Sequence, residues 1–106
     1  MLTTTTAAAA AEKVCIIVPC YNAQDTLAAT LNSALLQGEN TEVVVVDDGS
    51  ADQSLTVARG FEPRVRIFSG PNRGVSAARN TGLAATTADW VIFLDADDIL
   101  DRKSVV

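Results

Sequence analysis

Three continuous runs of large apolar, β-prone residues, Val14–Val18, Val43–Val46 and Trp90–Leu94, punctuate this chain, and each gives way to a polar, turn-forming segment. Such runs read as strands buried on both faces, which is how strands look in a parallel sheet covered by helices. Val65–Phe68 alternates more and reads as a shorter strand nearer an edge. Pro19 is expected to stop the first strand, because proline cannot donate to a ladder.

The intervening stretches have helical character. Within 23–37, Leu27, Leu31 and Leu35 recur at four-residue spacing, with Asn22 placed as N-cap and Gly38 as stop. Ser50 and Gln53 have capping-box spacing, so a helix is expected over 51–59, ended by Gly60. Residues 75–85 form an Ala-rich helix whose weak point is Gly82. Strand and helix alternate at spacings that suit right-handed crossovers. The fold class is therefore α/β: a three-layer, doubly wound, mostly parallel, Rossmann-like sheet of about four strands, incomplete at this length.

All four loops that follow strands share the C-terminal edge of such a sheet, where ligands bind. Two of them are acidic. Asp95, Asp97 and Asp98 close the last apolar run; they read either as oxygen ligands for Mg²⁺ or Mn²⁺ or as a cap and solvated turn. Asp47 and Asp48 close the second run. Asp48 with Gly49 and Ser50 suits a turn, whereas Asp47 can accept an N–H from a planar ring while Tyr21 offers a stacking face or is simply half-buried. Arg73 and Arg79 are the cations nearest this edge, and arginine's forked donors match phosphate, although an exposed loop charge is the plainer reading of Arg73. Glycine-rich phosphate loops of the G-x-G-x-x-G or Walker type are absent, so phosphate falls to metal and arginine.

Composition removes several classes. With 13 acidic against 8 basic residues and a net charge of -5, the chain lacks the basic footprint of a nucleic-acid binder. It has no histidine, which excludes Ser-His-Asp and Cys-His catalysis and any His-ligated metal within it. No apolar run approaches the ~18 residues of a membrane span. Cys15 and Cys20 lie five positions apart in an extended segment, roughly 16 Å at ~3.3 Å per residue, too far for a disulfide. They read as free thiols, Cys15 as a small hydrophobe and Cys20 as a pocket candidate, in a reducing, cytoplasmic compartment that includes the inner face of the membrane. The Thr and Ala tracts of Met1–Ala11 lack the build of a secretory signal, and residues 1–13 read as a disordered leader.

Four segments in order, Ile17-Val18-Pro19-Cys20-Tyr21-Asn22, Val46-Asp47-Asp48-Gly49-Ser50, Asn72-Arg73-Gly74-Val75-Ser76-Ala77-Ala78-Arg79-Asn80 and Phe93-Leu94-Asp95-Ala96-Asp97-Asp98, together resemble family 2 glycosyltransferases of the GT-A fold. The resemblance covers Val14 to about Leu100 and makes 14–106 the nucleotide-sugar-binding half of such a domain. It implies an inverting transferase that uses a nucleotide-diphosphate sugar, most often a UDP-sugar, with Mg²⁺ or Mn²⁺, in polysaccharide or cell-envelope synthesis. It implies that Pro19 and Tyr21 line the base site, that Asp47 bonds the base, that Asp95 faces ribose and metal, and that Asp97 ligates the metal. Asn22, Asp48, Asn72, Gly74, Arg79 and Asn80 complete the implied nucleotide-sugar-binding set.

In this family the general base lies beyond the D-x-D segment, so none is expected here, and two readings stand: part of a transferase, or a nucleotide-sugar-binding module without catalysis. The family's strand order, three-two-one-four, also implies an open edge on the last strand and self-association through it. Rival families fail on residues. A receiver domain needs its acidic pair on the first strand, a haloacid-dehalogenase-like phosphatase needs a hydroxyl where Ile99 stands, and an EF-hand needs glycine at Leu100 and glutamate at Val106.

Overall fold

The computed structural model describes residues 12–100. Seven elements alternate along them: β1 (Val14–Cys20), α1 (Leu27–Leu35), β2 (Thr41–Asp48), α2 (Ser54–Arg59), β3 (Arg66–Gly70), α3 (Val75–Ala84) and β4 (Trp90–Phe93). The strands form one parallel sheet in the order β3-β2-β1-β4. Side chains on β1 and β2 alternate between two apolar clusters, as the unbroken Ile and Val runs require. Ile16, Val18, Val43 and Val45 meet Leu27, Leu31 and Ala34 of α1 and Ala58 of α2 on one face. Cys15, Ile17, Val44 and Val46 meet Ala78 of α3 on the other. Leu27 and Leu31 are fully buried, each contributing about 1.5–3 kcal/mol of transfer free energy. The result is the expected three-layer α/β arrangement.

Several expected boundaries move, each for a local reason. Pro19 does not stop β1, which pairs with β2 as far as Cys20 opposite Asp47. Odd-numbered residues of β1 turn their backbone polar groups toward β4: the Lys13 carbonyl accepts from Asp89 and Trp90, and that of Ile17 from Leu94. β4 pairing ends at Ile17 opposite Phe93, its last bond being the Leu94 N–H on the Ile17 carbonyl, and the next ladder bond would need an N–H at position 19, so proline ends the pairing on this side alone. β2 likewise runs through Asp48, which places the acidic pair inside the strand rather than after it.

Asn22 is not the N-cap of α1. The helix begins at Leu27 with Thr26 before it, and Asn22 sits at φ 49, turned toward the neighbouring loop. α1 ends at Leu35 with Leu36 as C-cap, short of Gly38. The capping box at Ser50 and Gln53 does not form, and α2 begins at Ser54, because the Ser50 hydroxyl accepts from the Asn22 backbone instead. Gly82 is more than a weak point: it is buried, and a Cβ there would stand 2.4 Å from Ile17 Cγ2, so its missing side chain lets α3 lie directly on β1.

The expected leader lies outside the described residues apart from Glu12 and Lys13. The Lys13 N–H donates to Asp89 Oδ2 at 2.8 Å, and Trp90 Nε1 donates to Glu12 Oε1 at 3.2 Å. Residues 101–106, Val106 among them, also lie outside. Among the described residues no helix is long and apolar enough to cross a membrane.

Candidate functional site

The strand register brings the ends of β1, β2 and β3 level and leaves β4 three positions short of Cys20, so the loops after all four strands surround one edge. The first two loops are fastened together by reciprocal bonds. The Asn22 N–H donates to Ser50 Oγ (2.9 Å) and the Ala51 N–H to Asn22 Oδ1 (2.8 Å). Further along, the Ala23 N–H donates to Ser54 Oγ (2.8 Å), the Gln24 N–H to Asp52 Oδ2 (3.1 Å) and the Gln53 N–H to Gln24 Oε1 (2.9 Å). Asp52 also accepts from the Ser54 hydroxyl, the main reason its carboxyl titrates below the ordinary range. Asp52 therefore belongs to the loop lashing rather than to a solvated helix face, where the expected bounds of the second helix put it.

The third loop is wrapped around Asp48. Its Oδ1 accepts the Arg73 N–H at 2.7 Å, its Oδ2 the Gly74 N–H at 3.0 Å, and Asn72 Nδ2 donates to its carbonyl at 3.0 Å. Gly49 permits this approach, for it sits at φ +73 and a Cβ would meet the Asn72 nitrogen at 2.5 Å. The Asp48 carboxylate is thus occupied in shaping the entry to α3. Asp47, by the alternation of β2, faces the α1 and α2 side. Its Oδ2 receives the Ser50 N–H at 3.4 Å, while Oδ1 is buried with no hydrogen-bond partner. A buried carboxylate oxygen in that state is an acceptor waiting for a donor.

Asp95, Asp97 and Asp98 each bring a carboxylate oxygen within 4.8 Å of the others, and all three are exposed. An all-oxygen, anionic donor set fits a hard Mg²⁺ or Mn²⁺ ion, and Asp98 joins the expected pair. A cleft of about 490 Å³ contains Asp95 and Asp97 together with Pro19, Tyr21 and Asn22. Pro19 and Tyr21 also wall a second cleft of about 250 Å³ with Asp48, Asn72 and Gly74. Tyr21 is 53% exposed between them, a free ring face at the junction. Asp47 lines neither of the clefts that hold Tyr21; it contributes to the wall of a third, on the α3 side, beside Asp48 and Arg73.

Arg79 and Asn80 line none of these three clefts. Arg79 lies with its guanidinium 5.6 Å from the centre of the Phe93 ring, and its Nε is buried without a partner. Asn80 is exposed on α3. Cys15 and Cys20 are both free and buried, and burial raises both thiols, Cys15 to about 11. Cys20 lines the second cleft as a neutral thiol rather than a nucleophile.

Sequence reasoning missed the residues that hold the acidic loop, Thr26, Thr30 and Ser33 of the α1 region, whose hydroxyls bond its backbone. With Gln37 they recur at spacings of four, three and four, a polar stripe beside the leucine stripe.

A parallel sheet with nucleotide-sized clefts, a free aromatic face and clustered carboxylates at its C-terminal edge defines a nucleotide-binding α/β domain of the switch-point type. The profile of glycosyl transferase family 2 matches residues 15–105, and the chain belongs to that family. It is similar to the succinoglycan biosynthesis protein ExoU of Rhizobium meliloti, at 45% identity over 89 residues, covering 80% of this chain and 26% of that protein. Among solved structures it resembles TarS 1-349 of S. aureus in complex with UDP-GlcNAc, with a TM-score of 0.74, 31% identity and coverage of 87% and 28%. It also resembles glucosyl-3-phosphoglycerate synthase of Mycobacterium tuberculosis in complex with Mn²⁺, UDP and phosphoglyceric acid, with a TM-score of 0.73, 28% identity and coverage of 93% and 38%. The fold is that of the GT-A glycosyltransferases. The chain spans between about a quarter and two-fifths of each of these proteins.

Proposed function

We propose that this chain carries the donor and metal site of an inverting, hexosyltransferase-like enzyme that moves a sugar from a UDP-sugar to an acceptor hydroxyl. The observation that carries the reading is the meeting of the Asp95, Asp97 and Asp98 oxygens, with Asp95 and Asp97 in the wall of a cleft that also holds Tyr21. Family membership and the UDP and Mn²⁺ named for the two neighbours support it. Pro19 and Tyr21 take the base between them, and the free Oδ1 of Asp47 accepts its ring N–H. Asn22, Asp48, Asn72 and Gly74 shape the pocket, the first two chiefly through the loops they fasten. Arg79 and Asn80 are assigned to the donor side on family membership alone, since neither lines any of the three clefts.

Asp97 and Asp95 hold Mg²⁺ or Mn²⁺. When bound there, the ion supplies positive charge against the nucleoside diphosphate as it leaves. No described residue is assigned as the general base, so the residues on hand serve equally a nucleotide-sugar-binding module without transfer; turnover of UDP-sugar over an acceptor panel separates the two readings. The setting is polysaccharide or cell-envelope synthesis, on the cytoplasmic side; the name of ExoU, a succinoglycan biosynthesis protein, supports the biosynthetic part of that reading. Self-association through the outer edge of β4, where Trp90 is 60% and Phe93 41% exposed, is measured by light scattering.

The test is calorimetric titration of UDP with and without Mn²⁺. Asp97→Asn is expected to remove the metal-dependent gain in affinity, while Glu39→Gln, in the loop at the opposite edge of the sheet, retains it. Equal UDP affinity in the presence and absence of metal would refute the assignment.

A further inference from the structure

The acidic loop has no side-chain scaffold of its own. Leu94 and Ala96 turn into the core at 6% and 7% exposure, while Asp95, Asp97 and Asp98 project outward. What fixes the backbone between them is α1. Thr26 Oγ1 donates to the Ala96 carbonyl at 2.9 Å. Thr30 Oγ1, on a side chain with no exposure, lies 2.9 Å from the same carbonyl and 2.7 Å from that of Asp98. Ser33 Oγ accepts the Leu100 N–H at 2.9 Å while donating to the Thr30 carbonyl at 2.7 Å. The Asp98 N–H closes the turn on the Asp95 carbonyl at 3.0 Å.

We propose that the hydroxyl stripe Thr26–Thr30–Ser33, with Thr30 at its centre, is the positioning device that holds the Asp95–Asp98 loop in its cation-binding shape. The inference rests on the metal site proposed above. Three like charges repel one another, and before a cation arrives only the backbone resists their separation. Two carbonyls inside the acidic segment, those of Ala96 and Asp98, share the single hydrogen of one buried hydroxyl on a helix that is itself packed on the sheet. Rigid support of this kind lowers the ordering cost of binding. Thr30 touches no ligand and is a positioning residue.

The test compares Mn²⁺ affinity, by calorimetry without nucleotide, in the full chain and in Thr30→Val, Thr30→Ser, Thr26→Val and Asp97→Asn, with thermal melting of each. Thr30→Val keeps the shape and deletes the hydroxyl; it is expected to weaken Mn²⁺ about tenfold, which is about 1.4 kcal/mol. Thr30→Ser restores the affinity, and Thr26→Val, at the exposed start of the helix, weakens it about threefold with a wild-type melt. If Thr30→Val fails to fold, Thr26→Val decides. Unchanged Mn²⁺ affinity in the folded Thr variants, alongside loss in Asp97→Asn, overturns the positioning role alone. Mn²⁺ binding that is absent from the wild type, or indifferent to Asp97→Asn, overturns the metal site and this inference with it.

Discussion

Gly82→Ala separates two arguments that give opposite signs. Intrinsic propensity favours alanine inside a helix by about 1 kcal/mol, so α3 taken alone should gain stability. The packing says otherwise. A Cβ at this position would stand 2.4 Å from Ile17 Cγ2, 3.0 Å from Cδ1 and 3.1 Å from Cγ1, where carbon atoms normally rest about 3.5–4.0 Å apart. Ile17 cannot retreat, since it is fully buried on a strand flanked by β2 and β4. Overpacking of this kind costs about 1–3 kcal/mol, occasionally more, so after the propensity gain of about 1 kcal/mol the net effect is a destabilisation of about 0–2 kcal/mol. The background decides the cause: in Ile17→Ala, where all three crowding atoms are gone, the same Gly82→Ala change should stabilise, whereas Ile17→Val keeps two methyls on Cβ and should not invert the sign. Urea unfolding followed by circular dichroism gives the four free energies of the cycle. A higher urea midpoint for Gly82→Ala in the otherwise wild-type chain would refute the close-packing argument.

If the free Oδ1 of Asp47 accepts a ring N–H, UDP binds more tightly than CDP, whose cytosine N3 has no hydrogen to give; about tenfold or more is expected by competition calorimetry, and indifference counts against the role. Asp48→Ala strips the Arg73 and Gly74 N–H groups of their acceptor, so the chain should lose about 2–3 kcal/mol in urea and part of its UDP affinity, whereas a near-neutral result would mean that the third loop holds itself. Burial raises the Cys15 thiol from 9.0 to about 11, and a group with a raised folded value gives stability that is complete below its unfolded value and lost as pH climbs through the folded one. Melting temperature should therefore fall between about pH 9 and 11, less so in Cys15→Ala, and parallel pH curves for the two chains would refute it.

The fold was legible because its evidence is local. Unbroken apolar runs such as Val43–Val46 announce burial on both faces, and Leu27 and Leu31 announce the helix that covers one of them. Positions within the elements were less so. Proline reads as a stop from the chain alone, yet Pro19 stands where the pairing with β4 ends while the pairing with β2 runs on to Cys20, a division that depends on residues far along the sequence. Gly82 reads as a propensity defect, and only the nearness of Ile17 makes it a packing requirement.

The candidate site divides along the same line. Clustered acids and an aromatic residue can be seen as letters, so Asp47, Asp95, Asp97 and Tyr21 could be singled out. The groups that hold them in place act across the chain: Asn22 to Ser50 spans 28 positions, and Thr30 to Asp98 spans 68. Ser50 shows why such partners mislead when read locally. Its spacing to Gln53 matches a capping box, but one hydroxyl oxygen near a helix start can serve a neighbouring loop as readily as its own helix. The Asn22 N–H reaches it in the folded chain, and α2 begins four residues later in consequence. The same competition makes the threonines of α1 informative. A hydroxyl buried in a helix usually satisfies itself on the preceding turn, and Thr30 does lie 3.3 Å from the Thr26 carbonyl, but its shorter approaches, at 2.9 and 2.7 Å, are to the acidic loop. Its single hydrogen is therefore drawn toward the segment where the negative charges must be held together.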